Sequence, residues 1–120
     1  MNSKELETRL ISFAVDIINF VKSNENSYAG KHLSGQIIRS STSVPLNYGE
    51  AQSAESRKDF IHKMQISLKE LRETYVNLKI IEKAKLNNRT DIIRVLISEN
   101  NELISIFVKS VETSKKRLQE

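Results

Sequence analysis

Cysteine is absent from this chain, so neither a disulfide framework nor a thiolate metal site can be built. That composition fits a reducing compartment, and a cytoplasmic location is the expectation. Glycine occurs three times and proline once, at Pro45. So few breakers favour a few long helices over many short strands. Met1 to Leu10 mixes Lys4 and Arg9 with Glu5 and Glu7, and no apolar core follows a basic start, so no signal peptide is expected. No apolar run approaches the roughly 18 residues of a membrane span, which argues against a membrane partner. Groups fit for catalysis are equally sparse. Only His32 and His62 titrate near neutrality. Neither lies in a His-Glu-x-x-His pattern, and Asp59-x-x-His62 stands alone where a di-iron bundle needs a pair of Glu-x-x-His motifs. With no glycine-rich phosphate loop either, the expectation is a non-enzyme with no metal, no cofactor and no small-molecule substrate.

What is present is helical periodicity. The 120 residues suit one domain, 1–120. Apolar spacing predicts four helices, at about 4–23, 28–52, 56–85 and 90–119. In the first, Leu6, Leu10, Phe13, Ile17 and Val21 share a face, with a second apolar stripe at Ile11, Val15 and Ile18. The second places Leu33, Ile37, Val44, Tyr48 and Ala51 together. Pro45 inside it removes the N–H that would bond the Ser41 carbonyl, which predicts a kink, or failing that a full break. Ser56-Arg57-Lys58-Asp59 resembles a capping box ahead of the third helix. There Phe60, Met64, Leu68, Leu71, Tyr75 and Leu78 step by threes and fours as a heptad seam. Thr90 is the expected N-cap of the fourth helix, whose apolar face includes Ile92, Ile93, Leu96, Ile97, Leu103, Ile104, Phe107, Val108 and Val111. That face is wider than one core requires, as is the doubled stripe of the first helix, which points to a further interface. Short connections between long helices predict an all-α, antiparallel, up-down-up-down four-helix bundle.

Charge patterning supplies candidate surfaces. The chain carries a net +4, and the excess sits in the third helix. Lys58, Lys69, Arg72, Lys79 and Lys83 fall within one arc of about 80° at 100° per residue. Glu55, Asp59, Glu70 and Glu73 fall on a neighbouring arc, with Ile66, Val76 and Ile80 between. Such a strip can dock head-to-tail on a copy of itself; the basic arc can instead track phosphates, or the helix can simply be solvated. The oligomer-interface candidates are therefore Ile11, Val15, Ile18, Ile66, Val76 and Ile80. On the second helix Gln36, Arg39, Ser43, Asn47 and Glu50 form a polar stripe. It reads either as a hydrogen-bond network that fixes helix register or as a recognition surface, with Arg39 and Glu50 each reaching another helix. The nucleic-acid candidates are Arg39, Lys58, Lys69, Arg72, Lys79 and Lys83. Lys115-Lys116-Arg117 opposes the dipole of the last helix.

The run Leu33-Ser34-Gly35-Gln36-Ile37-Ile38-Arg39-Ser40-Ser41-Thr42-Ser43-Val44-Pro45-Leu46-Asn47-Tyr48-Gly49-Glu50-Ala51 resembles the signature of the 23S rRNA intervening-sequence protein family. Ser56-x-Lys58-Asp59-Phe60-Ile61, Ile66 and Lys69-Glu70-Leu71-Arg72-Glu73-Thr74 extend the resemblance, which covers roughly residues 5 to 115. Members are bacterial, some encoded within insertions in large-subunit rRNA genes. The resemblance implies an up-down bundle that assembles as a homopentameric ring. It also implies similarity to the accessory proteins of diversity-generating retroelements, basic pentamers that bind a reverse transcriptase and nucleic acid. Two functions follow as expectations: binding of structured RNA or a ribonucleoprotein through basic side chains, or a protein-binding scaffold without a nucleic-acid role. Ile38 stands where many members carry the first of two arginines, and Glu50-Ala51 where many have Glu-Gly, so the basic patch of this helix is weaker.

Overall fold

The computed structural model describes Met1–Glu120 and contains four helices: α1 (Ser3–Val21), α2 (Tyr28–Gln52), α3 (Arg57–Lys83) and α4 (Thr90–Gln119). Each start has a local cause. The side chains of Asn2, Ser27 and Ser56 accept hydrogen bonds from the backbone N–H groups of Glu5, Gly30 and Asp59, which satisfies donors that the first turn leaves open. Only half of the capping box forms at Ser56, because the Asp59 carboxylate is too short to reach back as a glutamate would. Thr90 is not the cap of α4. Arg89 holds that position without a side-chain bond, and its own N–H is held by Asn87 Oδ1 at 2.9 Å.

α3 ends at Lys83, two residues short of the periodicity. Lys85 turns to φ 55°, its N–H bonds the Glu82 carbonyl, and the Leu86 N–H reaches back to the Ile81 carbonyl at 3.1 Å. That is a Schellman stop, sealed by apolar contact at its ends; Ile81 and Leu86 are both buried. α1 likewise stops early, at Val21. α2 runs unbroken through Pro45 for 25 residues, so the full break is excluded. Ser40 and Ser41 are completely buried just before the proline, and Ser67 of α3 donates to the Val44 carbonyl at 3.1 Å. Small side chains here let α3 come close enough for Ser67 to bond the backbone beside the proline.

Each helix packs on its sequence neighbour, and α1 closes the bundle on α4; across the diagonal, α2 and α4 meet through core side chains, Tyr48 lying edge-on to Phe107 with ring centroids 5.8 Å apart. The body measures 51 × 22 × 21 Å, as set by helices up to 30 residues long. At one end the two outer loops are stitched together. Asn24 and Asn87 form an antiparallel bridge, and Asn87 Nδ2 donates to Asn24 Oδ1 at 2.7 Å and to the Phe20 carbonyl at 3.0 Å. The α1–α2 and α3–α4 loops therefore share an end, which makes the topology up-down-up-down. Gly30 is required beside this stitch: a Cβ there would lie 1.9 Å from the Glu25 carbonyl oxygen.

One core runs the length of the bundle, with Leu10, Phe13, Ile17, Ile37, Leu71, Leu78, Leu103 and Phe107 almost wholly excluded from water. The wide apolar face of α4 is absorbed by it. Ile92, Ile97, Ile104 and Val108 pack against the core from its flanks, because α4 lies between α3 and α1 and is covered on both sides. α4 therefore leaves no spare stripe of the kind its periodicity predicts. α1 does leave one.

Candidate functional site

Two grooves flank α2, and they differ in chemistry. On the α2–α3 side, a groove of about 740 Å³ is lined by Gln36, Arg39, Lys69, Arg72, Val76 and Ile80, among others. Its floor is an ion-pair relay. Arg39 Nη1 lies 3.1 Å from Glu70 Oε2 and Nη2 lies 2.9 Å from Glu73 Oε2. Glu70 is nearly buried, and its neighbour Thr74 donates to the Glu70 carbonyl while its hydroxyl meets that of Ser40 at 2.8 Å. Burial and the adjacent Glu73 push the Glu70 carboxyl above the ordinary carboxylate range, whereas the hydrogen bond from Arg39 pulls Glu73 below it. The Arg39 guanidinium is held more firmly protonated by both, Glu73 first.

The cationic candidates separate here. Arg39 is neutralised by Glu70 and Glu73, and Lys79 by Glu82 at 3.0 Å. Lys58, Lys69, Arg72 and Lys83 have no carboxylate partner within ion-pair distance. Lys69 and Arg72 stand in the α2–α3 groove, and Lys83 stands with Lys79 in a shallower adjoining one. Lys58 lies a helix length away, near the start of α3. Of the polar stripe on α2, Arg39 and Glu50 both reach α3, Glu50 through Lys63 at 3.4 Å. Ser43 and Asn47 instead bond backbone carbonyls of their own helix, and Gln36 is exposed on the groove wall. Gln36, Arg39 and Glu50 are exposed and Ser43 and Asn47 half-buried, and no side-chain-to-side-chain hydrogen bond joins one of the five to another. The buried polar contacts are others: Ser40 with Thr74, Ser67 with Val44, and Asn100, whose Nδ2 donates to the Leu71 carbonyl at 3.1 Å while its Oδ1 has no protein partner. Period-based reading assigns polar residues to the surface and passes over them.

On the α1–α2 side, a groove of about 510 Å³ is lined by Ile11, Val15, Ile18, Pro45 and Leu46, with Glu7 its one charged residue. Val15 is 47% and Leu46 69% exposed. The six apolar interface candidates thus occupy two surfaces. Ile11, Val15 and Ile18 lie here; Val76 and Ile80 lie across α2 in the charged groove, and Ile66 is half-buried. Leu46 belongs to the first surface although its spacing, off the core face of α2, gives it no partner in sequence.

Arg9 clamps α1 to α4. Its guanidinium makes two bonds to Glu99, at 2.8 and 2.6 Å, and a third to Glu102 at 2.9 Å, and these hold it protonated well above its ordinary value. This bidentate pair crosses the seam where the helices touch least. No group of three His, Cys, Asp or Glu is placed to hold a metal ion, and no helix is long and apolar enough to cross a membrane.

A family model described as 23S rRNA-intervening sequence protein matches residues 5–109. Among solved structures, the chain is similar to a protein of unknown function from the S23 ribosomal protein family of Bacteroides thetaiotaomicron. The two share 30% identity and superpose with a TM-score of 0.83, over 93% of this chain and 99% of that one. No curated protein matches the sequence.

Proposed function

The chain belongs to the 23S rRNA-intervening sequence protein family, and on that premise we propose that it is a non-catalytic, self-associating bundle that binds structured RNA along the outer edge of α3. The observation that carries this reading is the set of unpaired cations on that edge. Lys58, Lys69, Arg72 and Lys83 lack carboxylate partners, so their charge is free to replace counterions on phosphate. Arg39 and Lys79 drop to supporting roles because acids already neutralise them. Self-association rests on the other groove: an apolar surface with a single charge does not suit phosphate, but suits a copy of this chain. A ring of five, as the family resemblance implies, would present five α3 edges and add avidity without new contacts.

A filter-binding titration of structured 23S rRNA fragments tests it. With four phosphates neutralised per protomer, affinity falls about a hundredfold between roughly 50 and 200 mM salt. Absence of binding at low salt overturns the RNA reading and leaves a protein-binding scaffold, which the largely apolar α1–α2 groove favours.

A further inference from the structure

At the end of the bundle opposite the Asn24–Asn87 stitch, α3 begins beside the last turns of α4 and encloses a groove of about 690 Å³. Three cations line it: Arg57, Lys109 and Arg117. None makes an ion pair, and no carboxylate lines the groove, although Glu55 and Asp59 flank Arg57 in sequence. Helical geometry explains the convergence. Lys109, Thr113 and Arg117 follow each other at four-residue steps, as do Ile106, Ser110 and Ser114, so two adjacent rows of α4 face the start of α3.

The hydroxyls are the second, independent observation. Every other buried serine or threonine is bonded: Ser40 and Ser41 to carbonyls of α2, Ser67 to the Val44 carbonyl, Thr74 to the Glu70 carbonyl. Ser114 is only 7% exposed, lines the groove, and alone among them makes no hydrogen bond within the protein. Its Oγ is not sealed from water, since Asn100 Oδ1 is the one fully buried side-chain polar atom without a partner; the hydroxyl opens on the groove and is free to donate to a ligand there. Ser110 and Thr113 beside it also leave their hydroxyls unbonded. Phe60 and Ile106, both half-buried, form an apolar wall.

We propose that this groove binds a nucleoside monophosphate, either free or as the 5′ end of an RNA chain. The phosphate would sit among Arg57, Lys109 and Arg117 with Ser114 donating to it, and the base would lie on Phe60. The proposal does not depend on the α3 edge: its residues are separate, and a small phosphate can bind here even if long RNA does not bind there.

AMP titrated into the full-length, 15N-labelled protein should give saturable amide shifts at Arg57, Ser110 and Ser114. Arg57→Gln and Arg117→Gln should each weaken binding about tenfold. Ser114→Ala should weaken it several-fold while leaving Tm unchanged or raised, whereas a hydroxyl of purely structural meaning would leave affinity unmoved. Shifts with AMP assign a free nucleotide. Shifts only with an oligoribonucleotide carrying a 5′-phosphate, and not with its 5′-hydroxyl form, assign a chain end. If neither AMP nor the 5′-phosphorylated RNA shifts these amides, or if the Arg57→Gln/Arg117→Gln variant binds as tightly as the parent, the proposal is overturned.

Discussion

The two faces beside α2 are built from the same helix and carry opposite chemistry. Toward α1, Thr42, Pro45 and Leu46 meet Ile11, Val15 and Ile18, with Glu7 as the only charge. Toward α3, Gln36 and Arg39 meet Lys69, Arg72 and Glu73, with Val76 and Ile80 as the only large exposed apolar groups. One face gains from leaving water altogether. The other keeps its ions solvated, Arg39 paired and Lys69 and Arg72 free, where desolvation would cost more than it returned. Exposed hydrophobic residues on one bundle thus fall on two chemically distinct surfaces, and the self-association proposed for one and the RNA binding proposed for the other rest on that split.

Four variants test that division, in descending size of effect. Replacing Val15 and Ile18 together by Asp should weaken self-association by about three orders of magnitude, the scale of two buried interface anchors. Because both are exposed in the single chain, the protomer should still fold, with a Tm lower only by the lost association; sedimentation equilibrium and far-UV circular dichroism check the two halves. Lys69→Gln with Arg72→Gln should lower RNA affinity about a hundredfold near 0.1 M salt and reduce the salt slope by about 2, with assembly unchanged. Arg39→Ala should destabilise by about 1 kcal/mol or less at pH 7, since its side chain is 58% exposed and screened. The sign with pH is specific. In the parent, the raised Glu70 contributes stability that is lost as pH rises through its folded value, and the lowered Glu73 contributes stability that is lost as pH falls through its own. The two act in opposite directions. Both carboxyls lose the guanidinium that lowers them when Arg39 is removed, so the variant's deficit should shrink as pH is lowered past the ordinary value of 4.5, which urea melts across pH would show. Val76→Ser, at a residue 53% exposed, should change stability by less than about 0.5 kcal/mol and leave assembly intact. If it dissociates the protein as Val15→Asp/Ile18→Asp should, the two faces share one role and the comparison fails.

Much of this architecture is legible from spacing. Leu33, Ile37, Val44, Tyr48 and Ala51 are all buried as their period predicts, because each apolar side chain on a helix reports its own face. Ends were harder: the stop at Lys85 depends on a left-handed residue that is not glycine, which sequence does not flag. Contacts between distant residues were invisible for a plainer reason. Arg9 with Glu99 and Ser40 with Thr74 are joined by packing, not by any local pattern, and packing likewise brings Arg57, Lys109 and Arg117 to one groove. Charge arcs on α3 located the cations, yet only the geometry shows that Glu70, Glu73 and Glu82 claim Arg39 and Lys79. Position on a helix gives a charge its direction; its availability depends on what stands across the groove.

The most direct test is a salt-dependent RNA titration of the Lys69→Gln/Arg72→Gln variant, run beside sedimentation of the same sample. A flattened salt slope and weakened binding, with the mass of the assembly unchanged, is the result predicted here. An affinity and slope equal to those of the parent would contradict the assignment of the α3 edge to RNA.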